Sequence, residues 1–336
     1  MNRIALDAMG GDGAPRAMIE GALSAVREWP GHFSVALVGD PGRLKADLPA
    51  DLPDGIGIVP ASEVVEMHES PVRAIRRKSD SSIVVGLDLL RQGTADAFIS
   101  AGPTGAVMAA SRFLLGMLPG VERPTVGTLF PTAGEPTLVV DGGANVDTRP
   151  SHLLQFAHLG SVYMRALLGL DRPRVGLLNI GAEPGKGGNR VVATYRLLQE
   201  DSHLNFVGNV EGHQIIRGAC DVLVCDGFVG NVLLKFYESV AGFMSGMLER
   251  KLDPAVWREA FQEIDAALDY IEYGGAPLLG VNGVSVICHG ASPPRAIKNA
   301  IRVASTCVET GMVEDMAADL SSLSRTARVW RRIRRR

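Results

Sequence analysis

Short runs of apolar, often β-branched residues alternate along the chain with longer stretches in which apolar residues recur at helical spacing. The short runs predict strands at Arg3–Asp7, Phe33–Val38, Gly57–Pro60, Ala97–Ser100, Thr125–Phe130, Thr137–Asp141, Arg174–Ile180, Asn205–Val207, Val222–Cys225 and Val284–Cys288. Several are apolar on both faces, as strands covered by helices on both sides must be. Helices fill the gaps, and some carry start signals. Ser70-Pro71 reads as N-cap and first helical position before Val72–Lys78, and either Ser81 or Ser82 caps the next helix, which stops at Gly93. This alternation predicts an α/β fold, a three-layer α/β/α arrangement around a mostly parallel sheet. No repeat or low-complexity linker divides it. Residues 1–312 are therefore expected to form a single α/β/α unit, with any pair of lobes around a cleft separated only by ordinary loops. A C-terminal helix and basic tail follow over 313–336.

Composition narrows the class. With 336 residues, 46% hydrophobic and 39 glycines, the chain is core-forming and rich in turns. Its net charge of −3 gives no global reason to expect a nucleic-acid partner. The chain starts directly in a strand with no basic-then-apolar leader, and no apolar run reaches the roughly 18–20 residues of a spanning helix. A cytoplasmic protein, at most peripheral on the inner face of the membrane, is expected. Cys220, Cys225, Cys288 and Cys307 form no CxxC pair or finger spacing, and Cys225 and Cys288, inside apolar runs that read as strands, are expected to be buried, reduced thiols.

Glycines concentrate where the predicted strands end. One such loop follows Asp7 with Gly10, Gly11 and Asp12, and another follows Ser100 with Gly102, Thr104 and Gly105. Asp141-Gly142-Gly143-Ala144-Asn145, Gly181 to Asn189, Asp226-Gly227-Phe228-Val229-Gly230-Asn231 and His289-Gly290 complete the set. In open α/β sheets ligands bind beyond the carboxyl ends of strands. Glycine there lets backbone N–H groups approach an anion, with a helix N-terminus behind. Six such loops predict one shared cleft for a phosphate-sized or phosphate-bearing ligand. The residues taken to line it are Asp7, Gly10, Gly11, Asp12, Ser100, Gly102, Thr104, Gly105, Asn145, Asp226, Gly227, Gly230 and His289. Asp7 and Asp12 would repel a dianion directly, so orienting loop donors or a hydroxyl suits them better.

No GxGxxG opens the first βα turn, and GxxxxGK[ST], HExxH and GxSxG are absent, so neither a cofactor nor a metal is expected. Lys186 is the only lysine in these loops. It reads either as a solvated loop lysine or as a cation that holds phosphate and offsets charge in acyl transfer. Asn231 reads either as the N-cap of a helix starting at Val232 or as an amide donor to a developing oxyanion. His289 is either satisfied structurally or in contact with ligand.

Longer stretches then become recognisable. Ile4-Ala5-Leu6-Asp7-Ala8-Met9-Gly10-Gly11-Asp12, Glu69 to Lys78, Ile99 to Ala106, Asp141 with Gly143 to Asp147, Arg174 to Gly181, Asn205 to Glu211, Asp226 to Val232, Tyr273 to Ala276 and His289-Gly290 occur in order. Together they closely resemble the PlsX phosphate acyltransferase family. The resemblance implies an enzyme that moves a long fatty acyl group from acyl carrier protein to inorganic phosphate. The acyl-phosphate would pass to a glycerol-3-phosphate acyltransferase of phospholipid synthesis. It also implies a fold similar to phosphotransacetylases and isocitrate-type dehydrogenases, a homodimer, and catalytic roles for the lysine of Gly-x-Glu-x-x-Lys-Gly and the asparagine of Gly-Asn-Val, here Lys186 and Asn231. Two departures stand out. Pro103 replaces a common asparagine, and the Pro184-Gly185-Lys186-Gly187-Gly188 stretch is more glycine-rich than usual and lacks a common acidic residue.

Charge then marks candidate surfaces. Arg73, Arg76, Arg77 and Lys78 cluster on one predicted helix, which suits docking of the acidic carrier protein or simple solvation. Arginines interleaved with Val329, Trp330 and Ile333 make a tail suited to anionic lipid or to solubility. Val256 and Trp257 lie at a turn that in the family is associated with membrane attachment, with dimer packing as the competing account. An acyl-coenzyme A-using phosphotransacetylase, a nicotinamide-dependent dehydrogenase and a non-catalytic membrane scaffold stay open as other readings.

Overall fold

The computed structural model describes residues 1–251 and 274–321. From the N-terminus come β1 (Asn2–Asp7), α1 (Arg16–Glu28), β2 (Phe33–Gly39), α2 (Pro41–Asp47), β3 (Ile56–Pro60), α3 (Pro71–Arg77), α4 (Ser82–Arg91), β4 (Ala97–Ser100) and α5 (Thr104–Leu114). The middle forms β5 (Thr125–Val126), β6 (Thr128–Phe130), β7 (Thr137–Val140), α6 (Pro150–Leu168), β8 (Arg174–Leu178), α7 (Asn189–Glu200), β9 (Asn205–Val210), α8 (Gly212–Ile215), β10 (Val222–Val224) and α9 (Gly227–Lys251). Then follow β11 (Ala276–Leu279), β12 (Val284–Ile287) and α10 (Pro294–Glu309). The chain divides into two compact units. The first holds Met1–Pro124, Val162–Asp171 and the described residues from 274 onward; the second holds Thr125–Ser161 and residues 172–251.

In the first unit the strands run in the order β3-β2-β1-β4-β12-β11, parallel except that β11 pairs antiparallel with β12. The parallel strands are buried between helices, which is why their sequences are apolar on both faces: Ile4, Ala5, Leu6, Phe98 and Ile99 are wholly inaccessible. Helix α10 turns Ile297, Ala300, Ile301 and Ala304 inward at helical spacing. On its outer side Lys298 reaches Glu28 at 2.7 Å and lies over the Trp29 ring. The strand order reverses between β1 and β4, the place where open α/β sheets form a crevice.

The second unit has the order β6-β7-β10-β8-β9, with β6 antiparallel to β7 and the rest parallel. Its core joins Phe130, Val139, Val210, Ile215, Cys220, Leu223 and Cys225. The mostly parallel α/β class read from the sequence is thus the observed one.

Details differ. The expected strand Thr125–Phe130 is interrupted at Gly127, giving β5 and β6. Strand β11 was not anticipated, because Gly274-Gly275 and Pro277 argue against a strand; it forms by pairing Ala276 with Ile287 and Pro277 with Val286. Ser70 and Ser81 occupy the N-cap positions of α3 and α4, yet neither side chain makes the cap bond. The Ser81 hydroxyl donates backwards to the Lys78 carbonyl at 2.8 Å instead. Among the described residues no helix is long and apolar enough to cross a membrane.

Candidate functional site

Strands β1, β4 and β12 are parallel neighbours, so the three loops that follow them share one edge of the first sheet. Asp7 ends β1 fully buried. Its carboxylate accepts the N–H groups of Met9 and Gly10 at 3.1 and 3.0 Å and the Ser100 hydroxyl at 2.6 Å. The Ser100 oxygen in turn accepts the Gly102 N–H at 3.0 Å. Burial pushes the Asp7 pKa up, against the opposing pull of the bonds from Ser100, Ser82, Met9 and Gly10. The Gly10 and Gly102 N–H groups are therefore spent on this network. Gly10 brings the two loops together instead: a Cβ there would stand 2.5 Å from the Asp7 carboxylate and 2.6 Å from the Gly102 nitrogen.

The remaining expected residues of this unit fall close by. The Asp12 N–H donates to the Gly290 carbonyl at 2.7 Å, tying the loop after β1, which includes Gly11, to that after β12. His289 is exposed, and its Nδ1 accepts the Ala291 N–H at 3.1 Å, an ordinary turn contact. Thr104 and Gly105 open α5, exposed.

The second unit repeats the device. Asp141 follows β7, fully buried, and accepts N–H groups from Val126, Gly143, Ala144 and Asn145 at 3.3, 3.1, 2.9 and 2.6 Å, with the Asn145 side-chain amide at 2.8 Å. Burial again pushes its pKa up, with those donors opposing. The Asn145 carbonyl accepts the Gly227 N–H at 2.8 Å, joining this loop to the start of α9. Asp226 is buried, and one of its oxygens caps α9 by accepting the Val229 N–H at 2.9 Å while the other pairs with Arg190.

Asn231 is not an N-cap. Helix α9 begins at Gly227, Asp226 serves as the cap, and Asn231 lies one turn in with its side chain exposed. Lys186 is also exposed, its amine 3.9 Å from Glu183. Two asparagines fasten its loop. The Asn179 amide donates to the Lys186 carbonyl at 3.0 Å, and the Asn209 amide to the Glu183 carbonyl at 2.8 Å.

The structure thus distributes the six loops three to each unit. Asp141, Asn179, Asn209 and Arg190 had been given no site role. Asp141 and Asn179 follow strands and Asn209 lies one residue before the end of β9, close to the positions that mark the glycine loops, whereas Arg190 reads as a plain surface position of a helix.

On α3, Arg73, Arg76 and Arg77 are exposed, and the Arg76 guanidinium lies 5.6 Å from the Phe113 ring centroid, itself exposed. Lys78, grouped with them in the sequence, is spent elsewhere: its amine binds Glu69 at 2.5 Å and the Val64 carbonyl at 2.6 Å. Val256, Trp257 and the arginine tail lie outside the described residues.

A family model described as "Fatty acid synthesis protein" matches residues 2–315. The chain belongs to that family, the PlsX family whose motifs it carries. Among its relatives, a protein named Phosphate acyltransferase from Desulforamulus reducens is 52% identical over 96% of this chain and 98% of its own length. Another of that name, from Desulfitobacterium hafniense, is 50% identical over 95% and 97%. The fold resembles a phosphotransacetylase from Streptococcus pyogenes with a TM-score of 0.61 at 16% identity, covering 92% of this chain and 94% of that one.

Proposed function

We propose that this chain is a phosphate acyltransferase that moves a long-chain acyl group from acyl carrier protein to inorganic phosphate. The observation that carries the reading is identity of 52% and 50% to proteins named Phosphate acyltransferase over nearly the whole of both chains. One phosphate oxygen attacks the thioester carbon, the carbon–sulfur bond breaks, and the carrier leaves as a thiolate that takes up a proton from solvent. The enzyme needs no nucleophile of its own, which agrees with four buried cysteines.

Lys186 is assigned to phosphate and to the charge that develops, and the Asn231 amide to the oxyanion; loss of one such donor typically costs about 10²–10³ in rate. Both assignments draw support from exposure of both side chains and from the tethers that fix the Lys186 loop. Carrier docking is assigned to Arg73, Arg76 and Arg77, whose exposed charge complements an acidic partner. Self-association into a homodimer is supported by the apolar stripe of α9, where Phe228, Val232, Phe236 and Phe243 are each more than half exposed. Membrane contact through Val256 and Trp257, and delivery of the acyl-phosphate to a glycerol-3-phosphate acyltransferase, follow from the family resemblance.

The test is phosphate-dependent consumption of palmitoyl carrier protein, with the acyl-phosphate trapped by hydroxylamine and palmitoyl-coenzyme A run alongside. Turnover that needs both carrier and phosphate supports the proposal. Turnover with coenzyme A alone, or with neither donor, overturns it.

A further inference from the structure

We infer that the Arg190–Asp226 ion pair holds the Lys186 loop in register with Asn231, which makes Arg190 a positioning residue for acyl transfer. This rests on the roles given to Lys186 and Asn231 above. Arg190 lies in the first turn of α7, immediately after the loop that carries Lys186. Asp226 lies immediately before α9, the helix that carries Asn231. The pair is therefore a direct side-chain link between the two candidate catalytic elements, within one unit.

Three observations give the link mechanical meaning. The Asn179 and Asn209 tethers end on the Lys186 and Glu183 carbonyls, so they secure only the first part of the loop. Beyond them run Gly187 and Gly188, residues with the widest backbone freedom, and the next side-chain anchor is Arg190. At the other end, the Asp226 carboxylate that receives Arg190 also caps α9 through the Val229 N–H. With a side-chain exposure of only 10%, that carboxylate depends on its partners for solvation. Loss of the guanidinium leaves a buried carboxylate short of one partner, so the α9 cap and the Lys186 loop shift together.

Turnover is measured at a temperature where every variant is folded by circular dichroism, using Arg190→Met, Arg190→Lys, Lys186→Ala, Asn231→Ala and the Arg190→Met/Asn231→Ala double variant. Arg190→Met is expected to lower kcat between about 10- and 100-fold with the KM for carrier protein unchanged, the size of effect that small misplacement produces. Arg190→Lys, which keeps the charge, recovers part of the loss. In the Asn231→Ala background the Arg190→Met loss is smaller than in the wild type, because the part of it that comes from misplaced Asn231 is already gone while the part that comes from the Lys186 loop stays. A normal kcat in Arg190→Met, a full additive loss in the double variant, or a lysine variant no better than methionine overturns the strut. Normal turnover in both Lys186→Ala and Asn231→Ala instead overturns the catalytic assignment on which it rests.

Discussion

Gly230 packs so tightly against Asp141 that a Cβ built on the glycine would overlap the Asp141 carbonyl oxygen, far inside van der Waals contact distance. The contact presses the first turn of α9 onto the loop after β7, and the obstacle is backbone, which does not swing aside. Gly230→Ala is expected to lower Tm by several degrees, in line with the roughly 1–3 kcal/mol that overpacking costs, and to reduce turnover because Asn231 is the next residue. Gly242→Ala, further along α9 with no atom within 4 Å of its added methyl, is the control and should hold or raise Tm. Equal melting of the two variants by calorimetry would refute the packing argument.

Asp7 carries a pH signature. Its carboxyl is fully buried and its pKa stands above the ordinary 3.8, because lost hydration outweighs the hydrogen bonds it accepts. An acid with a raised folded pKa holds its proton more firmly in the folded state. Its contribution to stability is complete below 3.8 and is lost as pH rises through the folded value. Compared with Asp7→Asn, which lacks that titration, the wild-type Tm should therefore gain as pH falls from about 7 toward 4. A Tm difference that is flat across that range, or that favours the variant on acidification, contradicts the assignment.

Much of this arrangement was legible in the chain because burial on both faces leaves a plain mark. Ala97–Ser100 is apolar except at its end, and it is a strand with those same bounds. The glycine loops were likewise readable, since they follow strands. What the pattern concealed was partnership. Asp7 and Asp141 each organise a loop around a buried carboxylate, but nothing local reveals that Ser100 lies opposite the one and the Asn145 amide beside the other. Asn231 looked like a helix start because Gly227 and Gly230 weaken the helical pattern before it. Both glycines are in the helix, and Gly230 is required there by its approach to Asp141. Arg190 gave no signal, since its meaning comes from Asp226, which is distant in sequence.

The cysteines should be chemically silent. All four are buried, and burial pushes the thiols of Cys220, Cys288 and Cys307 up to about 12 and that of Cys225 higher still. At pH 8 the reactive thiolate is then about one part in 10⁴ of each or less, and access is closed as well. A disulfide reagent such as DTNB is expected to titrate no thiol in the native protein over several minutes, four after denaturation, and to leave turnover unchanged. A fast-reacting native thiol would show that one of these sites is open.

The basic helix separates docking from tethering. Arg76 and Arg77 are exposed, and Arg76 is stacked on Phe113, whereas Lys78 is bound to Glu69 and to the Val64 carbonyl. Reversal of both arginines to glutamate should raise the KM for carrier protein about tenfold, with the KM for phosphate unchanged, because exposed charges act chiefly on encounter with a charged partner. The same change should flatten the salt dependence: wild-type carrier KM rises with ionic strength, and that of Arg76→Glu/Arg77→Glu does not. Lys78→Ala, by contrast, removes a solvent-screened pair, so it should change stability little and leave carrier KM where it was. Steady-state kinetics at two salt concentrations with all three proteins decides the matter. If the arginine variant binds carrier like the wild type, the docking surface lies elsewhere. If Lys78→Ala alone weakens it, the lysine that the structure ties to Glu69 is released when the carrier arrives, and the division between docking and tethering fails.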